Sequence, residues 1–254
     1  MKTLRDVWLV YQRQMLLMAR MPVWIAIGLI QPVVYLLLFA PLLKVALAPM
    51  GATTYNEAYR IYVPGLLAAL AIFGGLFTGF NLLGELRAGV IERYRVTPVS
   101  RLALLLGRAL RETTLLVGQA VVITLLALPF GLTVAPADLA LAYLLFGLMA
   151  LMSAAASYGI TMAVKSDAAL APLVNTIAQP ISLLSGVLLP LALAPAWLRG
   201  VATVNPFYWS VNGMRALFTG NSAAHSVWEG LAVSAVLAAA AIAWSARLFA
   251  RRVS

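Results

Sequence analysis

Five stretches of this chain run for 23 residues or more without a charged side chain: 21–43, 61–84, 113–137, 139–164 and 168–198. A helix needs about 20 apolar residues to cross the hydrocarbon core of a bilayer. Lipid offers the backbone no hydrogen bonds, so a segment of that length crosses as a helix that satisfies its own. A shorter sixth run, 230–246, is extended at its ends by Trp228 and Phe249. The pattern predicts an all-α integral membrane protein with six transmembrane helices. With 63% hydrophobic and 10% charged residues and a mean hydropathy of +0.95, the chain has too little polar surface to coat a soluble globule.

Several segments can be read individually. In residues 1–20, Leu4, Trp8, Tyr11 and Met15 share one helical face and Lys2, Arg5 and Arg13 lie elsewhere, which predicts an N-terminal amphipathic interfacial helix. Ala46-Leu47-Ala48 resembles a signal-peptide cleavage site, but the run 21–43 is far longer than the roughly 7–15 residues of a signal core. Pro32 should kink the first span. Lys44 to Arg60, with Pro49, Gly51 and Asn56, reads as an exposed loop. In the second span, Gly75 and Gly79 form a small-xxx-small face suited to close helix packing. Gly131, Pro136 and Asp138 mark the turn between spans three and four. The run 168–198 would reach about 46 Å as one helix, against a core of about 30 Å. Pro190 and Pro195 offer the break, so the fifth span should end near Leu189. In the segment 191–229, Trp197, Phe207, Tyr208, Trp209 and Phe218 interleave with Arg199, Asn205 and Arg215, a pattern of short re-entrant helices at a membrane interface.

The net charge of +10 sits in short segments between apolar runs, which favours anionic headgroups over nucleic acid. Fourteen basic residues fall before span one, between spans two and three, between four and five, and after six; four fall on the opposite side. Lys and Arg excess marks the cytoplasmic side, so both termini should be cytoplasmic and the 191–229 segment extracytoplasmic. The densest charge cluster is Gly84–Arg111, with six of the 18 Lys and Arg residues. There Leu86, Val90 and Tyr94 recur every fourth residue, while Arg87, Glu92 and Arg95 point elsewhere, as in a short helix on the membrane surface. Thr97 and Pro98 read as the N-cap and first position of the next helix. The segment 84–101 is therefore a candidate docking element, and the alternative is an ordinary basic loop obeying the same charge rule.

Other chemistries find little support. Without cysteine there is no disulfide or thiolate metal site, and the single His225 cannot build a zinc site. No G-x-x-x-x-G-K-[ST] phosphate loop occurs. Every charge is placed at a span end or in a loop, which weakens a proton- or sodium-coupled secondary transporter and a charge-lined channel. An intramembrane serine protease fails because Leu183-Leu184 precedes Ser185 where G-x-S needs glycine.

A membrane body with no nucleotide site and a helix-bend-helix at its surface fits an energy-coupled transport subunit. Glu85, Gly89, Glu92, Thr97-Pro98, Ser100-Arg101 and Gly107-Arg108 resemble the signature segment of type-2 permeases of ATP-binding-cassette exporters, the daunorubicin and nodulation-factor exporter group. Asn205-Pro206-Phe207-Tyr208 with Arg215 is similar to that family's extracytoplasmic motif. The resemblance spans the chain and implies a single domain, 1–254. It assigns ATPase coupling to Glu85, Arg87, Gly89, Glu92, Arg93, Arg95, Thr97 and Pro98, and an extracytoplasmic gate to Asn205, Pro206, Phe207, Tyr208, Trp209 and Arg215. It further implies a permease homodimer in a bacterial plasma membrane. The partner is a separate ABC ATPase that holds the ATP and Mg; this chain binds no cofactor. The spans' polar groups are chiefly Gln31, Asn81, Gln119, Asn175 and Gln179, which suits amphipathic small molecules or lipids as exported cargo. Polysaccharide or glycolipid export is the alternative within the family.

Overall fold

The structure, a computed structural model, describes residues 2–20, 22–46, 54–90, 99–164, 166–187, 191 and 194–253. Among the described residues every regular element is helical. In chain order these are α1 (Lys2–Ala19), α2 (Pro22–Ala46), α3 (Tyr55–Arg87), α4 (Arg101–Ala127), α5 (Pro136–Val164), α6 (Asp167–Leu184), α7 (Ala196–Ala202), α8 (Pro206–Phe218) and α9 (His225–Val253), with a 3-10 turn at Leu128–Phe130 after α4. Four helical stretches, Tyr55–Arg87, Arg101–Phe130, Pro136–Val164 and His225–Phe249, are long and apolar enough to cross a membrane. Shorter apolar stretches lie at Ile25–Phe39 in α2 and Ala168–Leu184 in α6.

Local chemistry sets the boundaries, and several differ from the hydropathy runs. Thr54 and Glu57 form a capping box that starts α3 at Tyr55, so Asn56 and Arg60, expected in a loop, belong to its first turns. Both then fasten to Thr133: the Asn56 amide donates to Thr133 Oγ1 at 3.0 Å and Arg60 Nε to the Thr133 carbonyl at 2.9 Å. At its other end α3 continues through Arg87, so Gly84–Arg87 form its last turn rather than the start of a separate surface helix. The break falls at Gly89, whose φ of 65° is in the left-handed region that favours glycine. The following helix starts later than Thr97-Pro98: Ser100 accepts from the Ala103 N–H and α4 begins at Arg101. α6 ends at Leu184, short of Leu189, where Gly186 turns the chain at φ 74°. His225, placed in a loop by the sequence reading, opens α9 and contacts Glu229 at 3.2 Å one turn on.

The core is built on α3 packed against α5. A Cβ at Gly75 would sit 2.3 Å from Ser153 Cβ, and one at Gly79 would sit 2.2 Å from Thr161 Oγ1, so the small-residue face read from the sequence is the contact itself. The Gly79 N–H donates to Ser157 Oγ at 2.9 Å, and the Ser157 hydroxyl donates to the Leu76 carbonyl, stitching the helices through one buried side chain. α9 lies along α5 and presses Trp244 onto Gly159. α1 packs on α4 through Val7, Val10 and Gln14, not through the predicted stripe. Leu4 and Trp8 of that stripe are exposed, turned away from the protein. The antiparallel run of α3, α4 and α5 gives the bundle a basic end, where α3 ends and α4 begins, and an aromatic end carrying α7 and α8.

Candidate functional site

At the basic end the last turns of α3 face the first turns of α4 in antiparallel register. Asn81 and Glu85 are one turn apart on α3, as are Arg108 and Glu112 on α4. Arg108 meets Glu85 at 2.5 Å, and the Asn81 amide donates to Glu112 Oε1 at 3.4 Å. Arg111 closes the group against Glu112 at 2.8 Å. Arg108 and Glu112 are both only 3% exposed, which overturns the expectation that every charge lies at a span end or in a loop. They stand about two and three turns inside α4. Two arginines against two carboxylates leave the ladder electrically balanced, the condition under which buried charge is tolerated.

An apolar cluster of Val10, Leu82, Leu104, Leu105, Ala109, Tyr158, Met162 and Phe249 surrounds the ladder and gathers α1, α3, α4, α5 and α9. A displacement of the chain at Gly89 therefore meets a stiff junction of five helices. Of the predicted coupling residues, Glu85 is in the ladder, Arg87 is in the last turn of α3 and Gly89 is the break. Glu92, Arg93, Arg95, Thr97 and Pro98 lie outside the described residues.

The aromatic end is held differently. Asn205 caps α8 by accepting from the Phe207 N–H at 3.1 Å, and its amide donates to the Ile181 carbonyl of α6 at 2.7 Å. Pro206 takes the first position of α8, where its missing N–H costs nothing. Arg215 donates from Nε to the Ile61 carbonyl of α3 at 3.3 Å and from Nη2 to the Gly186 carbonyl at 2.5 Å. That second carbonyl lies just past the C-terminus of α6, where partial negative charge accumulates. Next to it, the Val187 carbonyl approaches Gly65 so closely that a Cβ there would lie 1.9 Å away. Phe207 is buried in the core; Tyr208 and Trp209 are half-buried with rings edge to face at 5.4 Å, and Trp209 Nε1 donates to the Thr203 carbonyl at 3.0 Å. All six residues assigned to the gate thus meet at one corner, but Asn205 and Arg215 are staples between helices and Phe207 is a core residue.

Sequence reasoning missed the ladder, taking Arg108, Arg111 and Glu112 for surface charges and Asn81 for a pathway group. The available signal was the one-turn spacing of Arg108 and Glu112 inside a leucine-rich run. Among the described residues no three His, Asp or Glu side chains gather as a metal-binding set.

Long apolar helices with their charge gathered at one end define the class, a multi-pass α-helical membrane protein. Within it the chain belongs to the ABC-2 type transporter family, whose pattern matches residues 5–219. It is similar to "Putative transport permease ycf38" of Porphyra purpurea, at 25% identity over 219 residues covering 85% of this chain and 75% of the relative. The protein of the same name in Cyanophora paradoxa is 24% identical over 89% of this chain and 76% of its own. "Daunorubicin resistance ABC transporter permease protein DrrB1" of Streptomyces coeruleorubidus is 24% identical over 97% of this chain and 85% of its own. The chain is accordingly an ABC transporter permease, of a family that typically works with an ABC ATPase.

Proposed function

We propose that the chain is the membrane subunit of an ATP-driven exporter that moves amphipathic small molecules or lipids out of the cytoplasm or its inner leaflet. In this reading α2 and α6 join the four long helices as spans, making six. Both termini and the basic end face the cytoplasm of a bacterial plasma membrane. Two copies pair around a central pathway, and residues 89–99 of each dock in a groove of a separate ATPase subunit that holds ATP and Mg. α7 and α8 form the extracytoplasmic re-entrant segment, and Tyr208 and Trp209 line its exit.

The observation that carries the reading is the buried ladder immediately inside Gly89. A push delivered to the 89–99 connection reaches α3 and α4 together, because Glu85 is paired with Arg108 and Asn81 with Glu112. Closure of an ATPase dimer would then tilt both helices as one lever, switching access from one side to the other. The cargo assignment draws on the uncharged run of the spans beyond the ladder, which offers apolar contact and isolated hydrogen bonds but no counter-charge for a bare ion. The relative named for daunorubicin resistance is in keeping with such cargo.

Expressed with its ATPase, the protein should lower cellular accumulation of lipophilic dyes. Gly89→Pro, Glu92→Arg and Arg95→Glu should each abolish that effect while membrane levels stay unchanged, since they disturb only the connection. Unaltered transport in all three variants would reject the coupling role. Export confined to a long hydrophilic polysaccharide would reject the cargo and leave the coupling intact.

A further inference from the structure

α1 presents three distinct faces. One, Val7, Val10 and Gln14, is buried on α4, with Val10 seated on Gly107 so tightly that a Cβ there would lie 2.6 Å from Val10 Cγ1. A second carries Leu4 and the stacked rings of Trp8 and Tyr11, centroids 5.4 Å apart; the Tyr11 hydroxyl reaches Thr114 Oγ1 at 3.2 Å, two turns further into α4 than Gly107. The third is a recess of about 370 Å³ lined by Leu9, Gln12, Arg13, Leu16, Leu17 and Arg20. Leu9, Arg13, Leu16 and Arg20 follow one another at helical spacing, so apolar and cationic groups alternate along a single stripe.

We infer that this stripe is a binding site for an anionic phospholipid. Leu9 and Leu16 are 52% and 66% exposed, which suits contact with acyl chains and gains nothing from water. Arg13 and Arg20 stand beside them at the distance of one headgroup, and guanidinium pairs with phosphate through two parallel hydrogen bonds. A soluble anion would use the arginines and leave the leucines wet; a neutral lipid would use the leucines and leave the cationic pair uncompensated. A phospholipid of net negative charge satisfies both. α1 as a whole carries Lys2, Arg5, Arg13 and Arg20 against Asp6 alone, so its field selects for negative headgroups. Because the opposite face of α1 rests on Gly107, beside Arg108, the occupied site braces α1 against the charge ladder.

The inference rests on reading α1 as lying along the membrane surface, and one experiment separates the two. The full-length protein is equilibrated in detergent with equal phosphatidylglycerol and phosphatidylcholine, and retained lipid is counted by native mass spectrometry. Phosphatidylglycerol should be retained preferentially, by roughly fivefold for each arginine and about twenty-five-fold for the pair. Arg13→Gln with Arg20→Gln should abolish the preference, Arg13→Lys with Arg20→Lys should keep most of it, and millimolar inorganic phosphate should not compete. Equal retention of the two lipids, an unaffected Gln variant, or displacement by phosphate would each overturn the site. In parallel, a bimane on Leu4→Cys in nanodiscs should be quenched by a lipid-borne nitroxide. Quenching without headgroup preference would sink the lipid site alone; a bimane in water would sink the interfacial reading and the site with it.

Discussion

Both ends of the bundle bury arginine, but they neutralise it in different ways. At the basic end Arg108 and Arg111 face Glu85 and Glu112, charge against charge. At the aromatic end Arg215 donates to the Ile61 and Gly186 carbonyls, and among the described residues no carboxylate pairs with it. A paired ladder resists separation, because moving either helix exposes an uncompensated charge in a low-dielectric interior. A cation held by carbonyls can exchange one carbonyl or water for another at smaller cost. The comparison assigns stiffness to the end that would receive a push and adaptability to the end where cargo would leave.

The largest effect should come from breaking the ladder on one side. Arg108→Met leaves two carboxylates against one arginine and should destabilise the protein by about 3–5 kcal/mol in unfolding from detergent. Adding Glu85→Met should recover most of that loss, a strongly non-additive pair. Additive losses would mean that the two side chains are independent and the basic end is not specially stiff. An intermediate effect is expected for Arg215→Gln, which removes charged hydrogen bonds worth about 1.5–3 kcal/mol and should loosen α8 from α3, read as faster amide exchange in α8. Exchange that stays unchanged there would deny the staple. The smallest is Trp209→Phe, which keeps a ring and gives up one hydrogen bond to Thr203, for about 1 kcal/mol. A larger cost at Trp209 than at Arg215 would invert the ranking and place the corner's anchor in its aromatic pair.

Much of this was legible in residue order. The uncharged runs mark where the long helices lie because nothing else in a chain can meet lipid, and Gly75 and Gly79 announced a close contact because only a missing side chain permits it. Helix ends were less legible. Thr54 with Glu57, Ser100 and Gly186 move the boundaries by several residues through single capping bonds or one left-handed turn, which hydropathy does not register. The ladder was hidden for a different reason: Arg108 and Glu112 look like the polar margin of a span until α3 supplies Asn81 and Glu85 across from them. Likewise the Asn205 and Arg215 staples bind backbone carbonyls of Ile181, Ile61 and Gly186, and a carbonyl carries no signature in its residue's identity.

The stitch between Gly79 and Ser157 has a consequence for biosynthesis. Its two halves are separated by 78 positions in the chain. At a synthesis rate of about 5–20 residues per second, α3 waits roughly 4–16 seconds for the serine that fits it. During that interval the notch at Gly75 and Gly79 faces lipid or the insertion machinery, able to accept any other helix with small residues on one face. The order in which the helices leave the ribosome thus makes this notch the place where a newly made copy is most open to mispairing, and the arrival of α5 is the event that closes it.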